Sequence, residues 1–97
     1  MSEHTGGGKF GRTYSSWPFV TLTINGDGIL MRTILQKVRM KRESIQTIIL
    51  QRNFLNYRFI FKHNDPTIHK EIEFWTFSPN PVENSLRSQG YSVFEGR

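Results

Sequence analysis

A succession of short apolar-alternating segments comes first in this chain, and one capped helical segment comes only near the end. Trp17 to Asn25, Ile29 to Leu35, Ile45 to Arg52, Tyr57 to His63 and Glu71 to Phe77 read as strands, and Asn80 to Gly90 reads as a helix. That order constrains architecture more tightly than any residue constrains a chemistry. Strands packed on one another and closed by a single helix make a mostly β domain, α+β by strict count.

The alternation is explicit in the first strand. Val20, Leu22 and Ile24 point one way, Thr21 and Thr23 the other. Asn25-Gly26-Asp27-Gly28 then supplies a tight turn. Gln36 to Glu43 alternates charged residues around Val38 and Met40, which suits a short strand with one wet face. Asn53-Phe54-Leu55-Asn56 closes another turn. In the hairpin from Tyr57 to Phe77, pairing Phe61 with Ile72 and Phe59 with Phe74 gathers aromatic groups on the core side. The same register sets Lys62 beside Glu71 and Arg58 beside Trp75 on the outer side.

The helix, expected over about 81–89, has Asn80 as N-cap, Pro81 in its first turn and Gly90 just past its end. Val82 and Leu86 give it a narrow apolar stripe, so it must dock on the sheet, with Tyr91, Val93 and Phe94 as an anchor behind it. Residues 1–15 lack periodicity, and the expectation is a flexible Gly-rich tail ahead of a single domain over 16–97. GGGKF is not a phosphate loop, because Phe10 follows Lys9 where the Walker pattern needs Ser or Thr.

The runs WPFVTLTINGDGIL, YRFIFKH and IEFWTFSPNP, leading into VENSLRSQGY, resemble small bacterial pleckstrin-homology-like (PH-like) domains. The resemblance spans roughly residues 17 to 94 and rests on strand order and the closing Phe-Trp, Pro, short helix, Gly-Tyr ending. It implies a bent antiparallel barrel of about six or seven strands plugged by one C-terminal helix. Many bacterial members have no assigned function. Lipid-binding relatives hold inositol phosphates with basic residues in the first hairpin. Taken as that hairpin, Asn25-Gly26-Asp27-Gly28 carries an acid and no base, so the resemblance implies the fold rather than that ligand.

Thirteen Lys and Arg against eight Asp and Glu give a net charge of +5, which suits an anionic partner. Arg32, Lys37, Arg39, Lys41 and Arg42 place five of those cations within eleven residues. They are the candidates for binding anions, either acidic lipid headgroups or nucleic acid. The plainer reading, and the favoured one, is an edge strand protected by its cations against edge pairing. The chain has no cysteine, so disulfides and thiolate chemistry are excluded. His63, Asp65, His69 and Glu71 flank one turn-like loop and lack the rigid convergence of a metal site. No metal or cofactor is expected, and no Ser, His and acid come together from local spacing, so an enzyme is not expected. The expectation is a non-catalytic binding or scaffolding module, cytoplasmic and at most peripheral to a membrane. It would take a protein partner or another copy of itself, with an open edge near Val38 to Met40 as one route.

Overall fold

The computed structural model describes residues 2–96. Eight strands form one curled, open sheet, a half-barrel with a helix over its interior. The strands are β1 (Ser2–Phe10), β2 (Thr13–Asn25), β3 (Gly28–Arg32), β4 (Lys37–Lys41), β5 (Ile45–Arg52), β6 (Tyr57–His63), β7 (Ile72–Thr76) and β8 (Val93–Glu95). Helix α1 (Pro79–Ser88) lies between β7 and β8. Across the sheet the order is β4-β3-β2-β1-β7-β6-β5-β8, antiparallel throughout except for the last pair.

The N-terminal expectation is overturned. Ser2–Phe10 is no tail; it is an interior strand, paired with β2 on one side and β7 on the other. Its glycines hide it from sequence reading because they carry no alternating side chain. In the fold they are the contact surface. A Cβ on Gly7 would run into the Trp75 indole, and one on Gly6 would meet the Trp75 carbonyl oxygen and the Phe74 ring. The missing side chains let β7 lay its two aromatics across β1. The first hairpin accordingly turns at Gly11 and Arg12, and Asn25–Gly28 is the second.

With β1 restored, seven strands precede the helix and β8 makes eight, one or two more than the sequence suggested. Gly6 pairs with Val20 and Gly8 with Ser15, so four residues of β2, 16–19, bulge opposite Gly7 alone. The Trp17–Pro18 peptide in this bulge is cis.

The interior is the expected one. Phe59, Phe61 and Phe74 are buried, with Phe59 opposite Phe74 and Phe61 opposite Ile72. Val20, Leu22 and Ile24 point inward beside them, and Phe10 of β1 joins the same core. The outer side of the hairpin is wired differently from expectation. Arg58 does stand opposite Trp75, but its guanidinium pairs with Glu73 (Nη1–Oε1 3.4 Å) rather than lying over the indole. Glu71 pairs with Lys9 at 3.3 Å, not with Lys62, because β1 brings a second lysine alongside β7.

The helix starts at Pro79, with Ser78 as the flanking extended residue, so Asn80 is not the N-cap. Either proline is tolerated there, since first-turn residues need no intrahelical N–H bond. Val82 and Leu86 are buried, as their spacing predicts. At the C-terminus the Gly90 N–H donates to Arg87 O (3.0 Å) and the Tyr91 N–H to Leu86 O (2.9 Å), a Schellman closure with Gly90 at φ +91°. Behind it Tyr91 and Val93 turn inward while Phe94 stays exposed. The Tyr91 hydroxyl donates to Asn25 O at 2.7 Å, tying this segment to the β2–β3 turn.

Candidate functional site

The basic stretch folds into two different things. Arg32, Lys37, Arg39 and Lys41 point to solvent from the outer face of β3 and β4, with Arg32 directly opposite Lys37. Among the described residues no carboxylate forms an ion pair with any of the four. Arg42 separates from them. Its Nη1 donates to Gly26 O (2.6 Å) and Gln89 O (2.7 Å), and its Nη2 donates to Gly90 O (2.9 Å). Its guanidinium also lies 4.5 Å from the centre of the Tyr91 ring. Arg42 is a staple between the second hairpin and the helix end, and its donors are committed there. Burial raises the Tyr91 phenol above its ordinary pKa, and the Arg42 charge partly offsets that.

β4 is an outermost strand. The hydrogen-bond alternation along it follows from its two ends. The Thr33 N–H donates to Gln36 O (2.8 Å), and the Arg42 N–H donates to Asp27 O (3.1 Å). Residues 36 and 42 therefore face β3, and in an antiparallel ladder Val38 and Met40 do as well. Lys37, Arg39 and Lys41 then present their backbone N–H and C=O groups outward. Beside this edge lies a groove of about 290 Å³, lined by Lys37, Val38, Pro66, Thr67, Ile68 and His69. At the far side of the sheet the β5 edge is occupied by β8.

A second surface escaped sequence reading. Ile34 and Leu35, read there as the end of a strand, are the tip of the β3–β4 turn and are 94% and 93% exposed. Turn tips ordinarily carry Gly, Asn, Asp or Pro. Phe19 shares a shallow recess with both. Two residues earlier in the bulge, Trp17 meets Phe77 edge-on at 6.0 Å, and Phe77 meets Trp75 at 5.4 Å. Trp17, Phe19 and Phe77 are 49%, 64% and 56% exposed. Together they form an apolar strip on the outer face, with Arg32 and Lys37 at the base of its tip. A strip of this kind marks an interaction surface more often than a folding need. The β5–β6 turn repeats the pattern, with Phe54 and Leu55 exposed. The signal available in sequence was the Ile34-Leu35 pair lying between Arg32 and Lys37, which alternation alone reads as strand.

The histidine loop has a structural role. The Asp65 N–H donates to His63 Nδ1 (3.1 Å), which leaves the proton on Nε2 to donate to His69 O (2.7 Å). Both ring nitrogens are thereby engaged in shaping the turn. Asp65 accepts from the Thr67 hydroxyl and N–H, and these bonds hold its carboxyl below the usual carboxylate range. Among the described residues no group of three or more His, Asp or Glu converges in a way that could hold a metal ion. No helix among them is long and apolar enough to cross a membrane.

No family model matches the chain, and no curated protein matches it.

Proposed function

We propose that this chain is a non-catalytic binding module of the PH-like kind, acting in the cytoplasm on a protein partner through the outer face of β2, β3 and β4. Seven antiparallel strands ahead of one closing helix support the PH-like reading, since that is the arrangement the resemblance implies. The observation that carries the function is the apolar strip of Trp17, Phe19, Ile34, Leu35 and Phe77, exposed on a domain whose core is otherwise complete. Self-association through β4 is disfavoured. An antiparallel two-fold pairing centred on Arg39 would set Lys37 against Lys41 and Arg39 against itself.

Selection from a random peptide library tests this reading. The wild type is expected to enrich binders that a Phe19→Ser, Leu35→Ser variant holds at least about tenfold more weakly, or ~1.4 kcal/mol. Absence of binders, or equal binding by the variant, rejects it. The second reading is anion binding by Arg32, Lys37, Arg39 and Lys41, favoured because no carboxylate among the described residues pairs with them. Anionic vesicles and oligonucleotides at low and high salt test it, because phosphate contacts weaken steeply with salt.

A further inference from the structure

We infer that the partner segment is acidic and extended, and that it adds to β4 as a further antiparallel strand. The inference rests on the protein-binding reading above and gives that partner a chemistry. Two properties of β4 coincide at the same residues. Lys37, Arg39 and Lys41 are the ones whose backbone donors and acceptors face outward, and they also carry the exposed cations. A strand laid beside them closes its ladder on those groups. It sets every second side chain opposite a cation, at the ~6.8 Å spacing of alternate strand residues. Carboxylates at those positions would complete the charges, which pair with no carboxylate among the described residues. Intervening residues turn toward the side on which Val38 and Met40 are buried, and Val38 and the partly buried Ile68 both line the groove. The recognised pattern is therefore an acid at alternate positions, with apolar residues between.

Other occupants fit less well. A phosphate backbone could meet the cations, but it has no donors for the outward carbonyls of Lys37, Arg39 and Lys41 and would be repelled by them. The exposed aromatics Trp17 and Phe19 lie on β2, not between the β4 cations where stacking bases would need them. A second copy of β4 brings like charges together, and the other outermost strand, β8, offers only three residues to pair with.

The test uses a fluorescein-labelled nine-residue peptide alternating Glu and Val. One control has the same residues with all Glu at one end. The other is the alternating peptide N-methylated along its ladder-forming edge. Binding is followed by anisotropy, and amide exchange is read at Lys37, Arg39 and Lys41. The alternating peptide is expected to bind at least about tenfold more tightly than either control, to slow exchange of those three amides, and to lose affinity at least tenfold with Arg39→Glu. Equal affinity for the block or N-methylated control would reduce the effect to unspecific charge and overturn the inference. So would absence of binding, protection elsewhere in the sheet, or tighter binding of a thymidine oligonucleotide or anionic vesicle through the same cations. If library binders depend on Phe19 and Leu35 while the alternating peptide fails, this inference falls and the module reading stands. If neither binds, both fall.

Discussion

Replacing Gly6 by alanine separates a flexible leader from an interior strand. A Cβ there would press on the Trp75 carbonyl oxygen and lie 2.6 and 2.9 Å from two atoms of the Phe74 ring. The oxygen belongs to the backbone of β7 and cannot swing aside, so β1 and β7 must separate locally by several tenths of an ångström or more. Overpacking of this kind costs about 1–3 kcal/mol, and a backbone clash belongs at the upper end. The reduced freedom of the unfolded chain returns roughly 0.5–1 kcal/mol. A net loss of about 2 kcal/mol is expected, a large part of the ~5–15 kcal/mol typical of a domain. Gly26→Ala is the control, because its Cβ would meet only the mobile end of Gln89 at 3.3 Å. It should change stability by less than about 0.5 kcal/mol. Urea denaturation followed by tryptophan fluorescence measures both. If Gly6→Ala is as stable as Gly26→Ala, the packing of β1 against β7 is wrong.

The other expectations concern the staple, the tip and acid stability. Arg42→Ala removes three bonds to carbonyls and the stack on Tyr91, and should cost about 2 kcal/mol in the same assay, with Arg42→Lys recovering less than half. Ile34→Ser with Leu35→Ser should leave stability within about 0.5 kcal/mol, because almost all of both side chains is in water; a larger loss would mean that the tip packs on the fold. Burial holds the His4 imidazole below its usual pKa, beside Ser2 and Ser85 at 3.2 Å. The unfolded chain therefore takes up a proton first as pH falls. Stability should decline below about pH 6.5 toward the lower folded-state value, and His4→Gln should flatten that part of the profile. An unchanged profile would place His4 in open solvent.

The sequence was most legible where side chains alternate and are large. β5 and β6 have the ends their patterns predict, and the pairing of Phe59 with Phe74 could be read because a one-residue slip would turn the aromatics outward. It was least legible where structure depends on an absent side chain. Gly6, Gly7 and Gly8 give no period, yet their smallness admits Trp75 and Phe74. Ile34 and Leu35 misled in the opposite sense. Apolar character suggested strand, whereas the turn exposes them at its tip. Among the basic residues, charge alone could not separate Arg42 from Lys41. Only the neighbouring carbonyls of Gly26, Gln89 and Gly90 assign it to the fold.

Residue-resolved amide exchange along β4 of the free protein tests most directly whether the sheet ends in an available edge. The amides of Val38, Met40 and Arg42, bonded toward β3, should exchange at least about a hundredfold more slowly than those of Lys37, Arg39 and Lys41. Even protection across 37–42, with no alternation, would mean that the edge is already covered and would contradict the account.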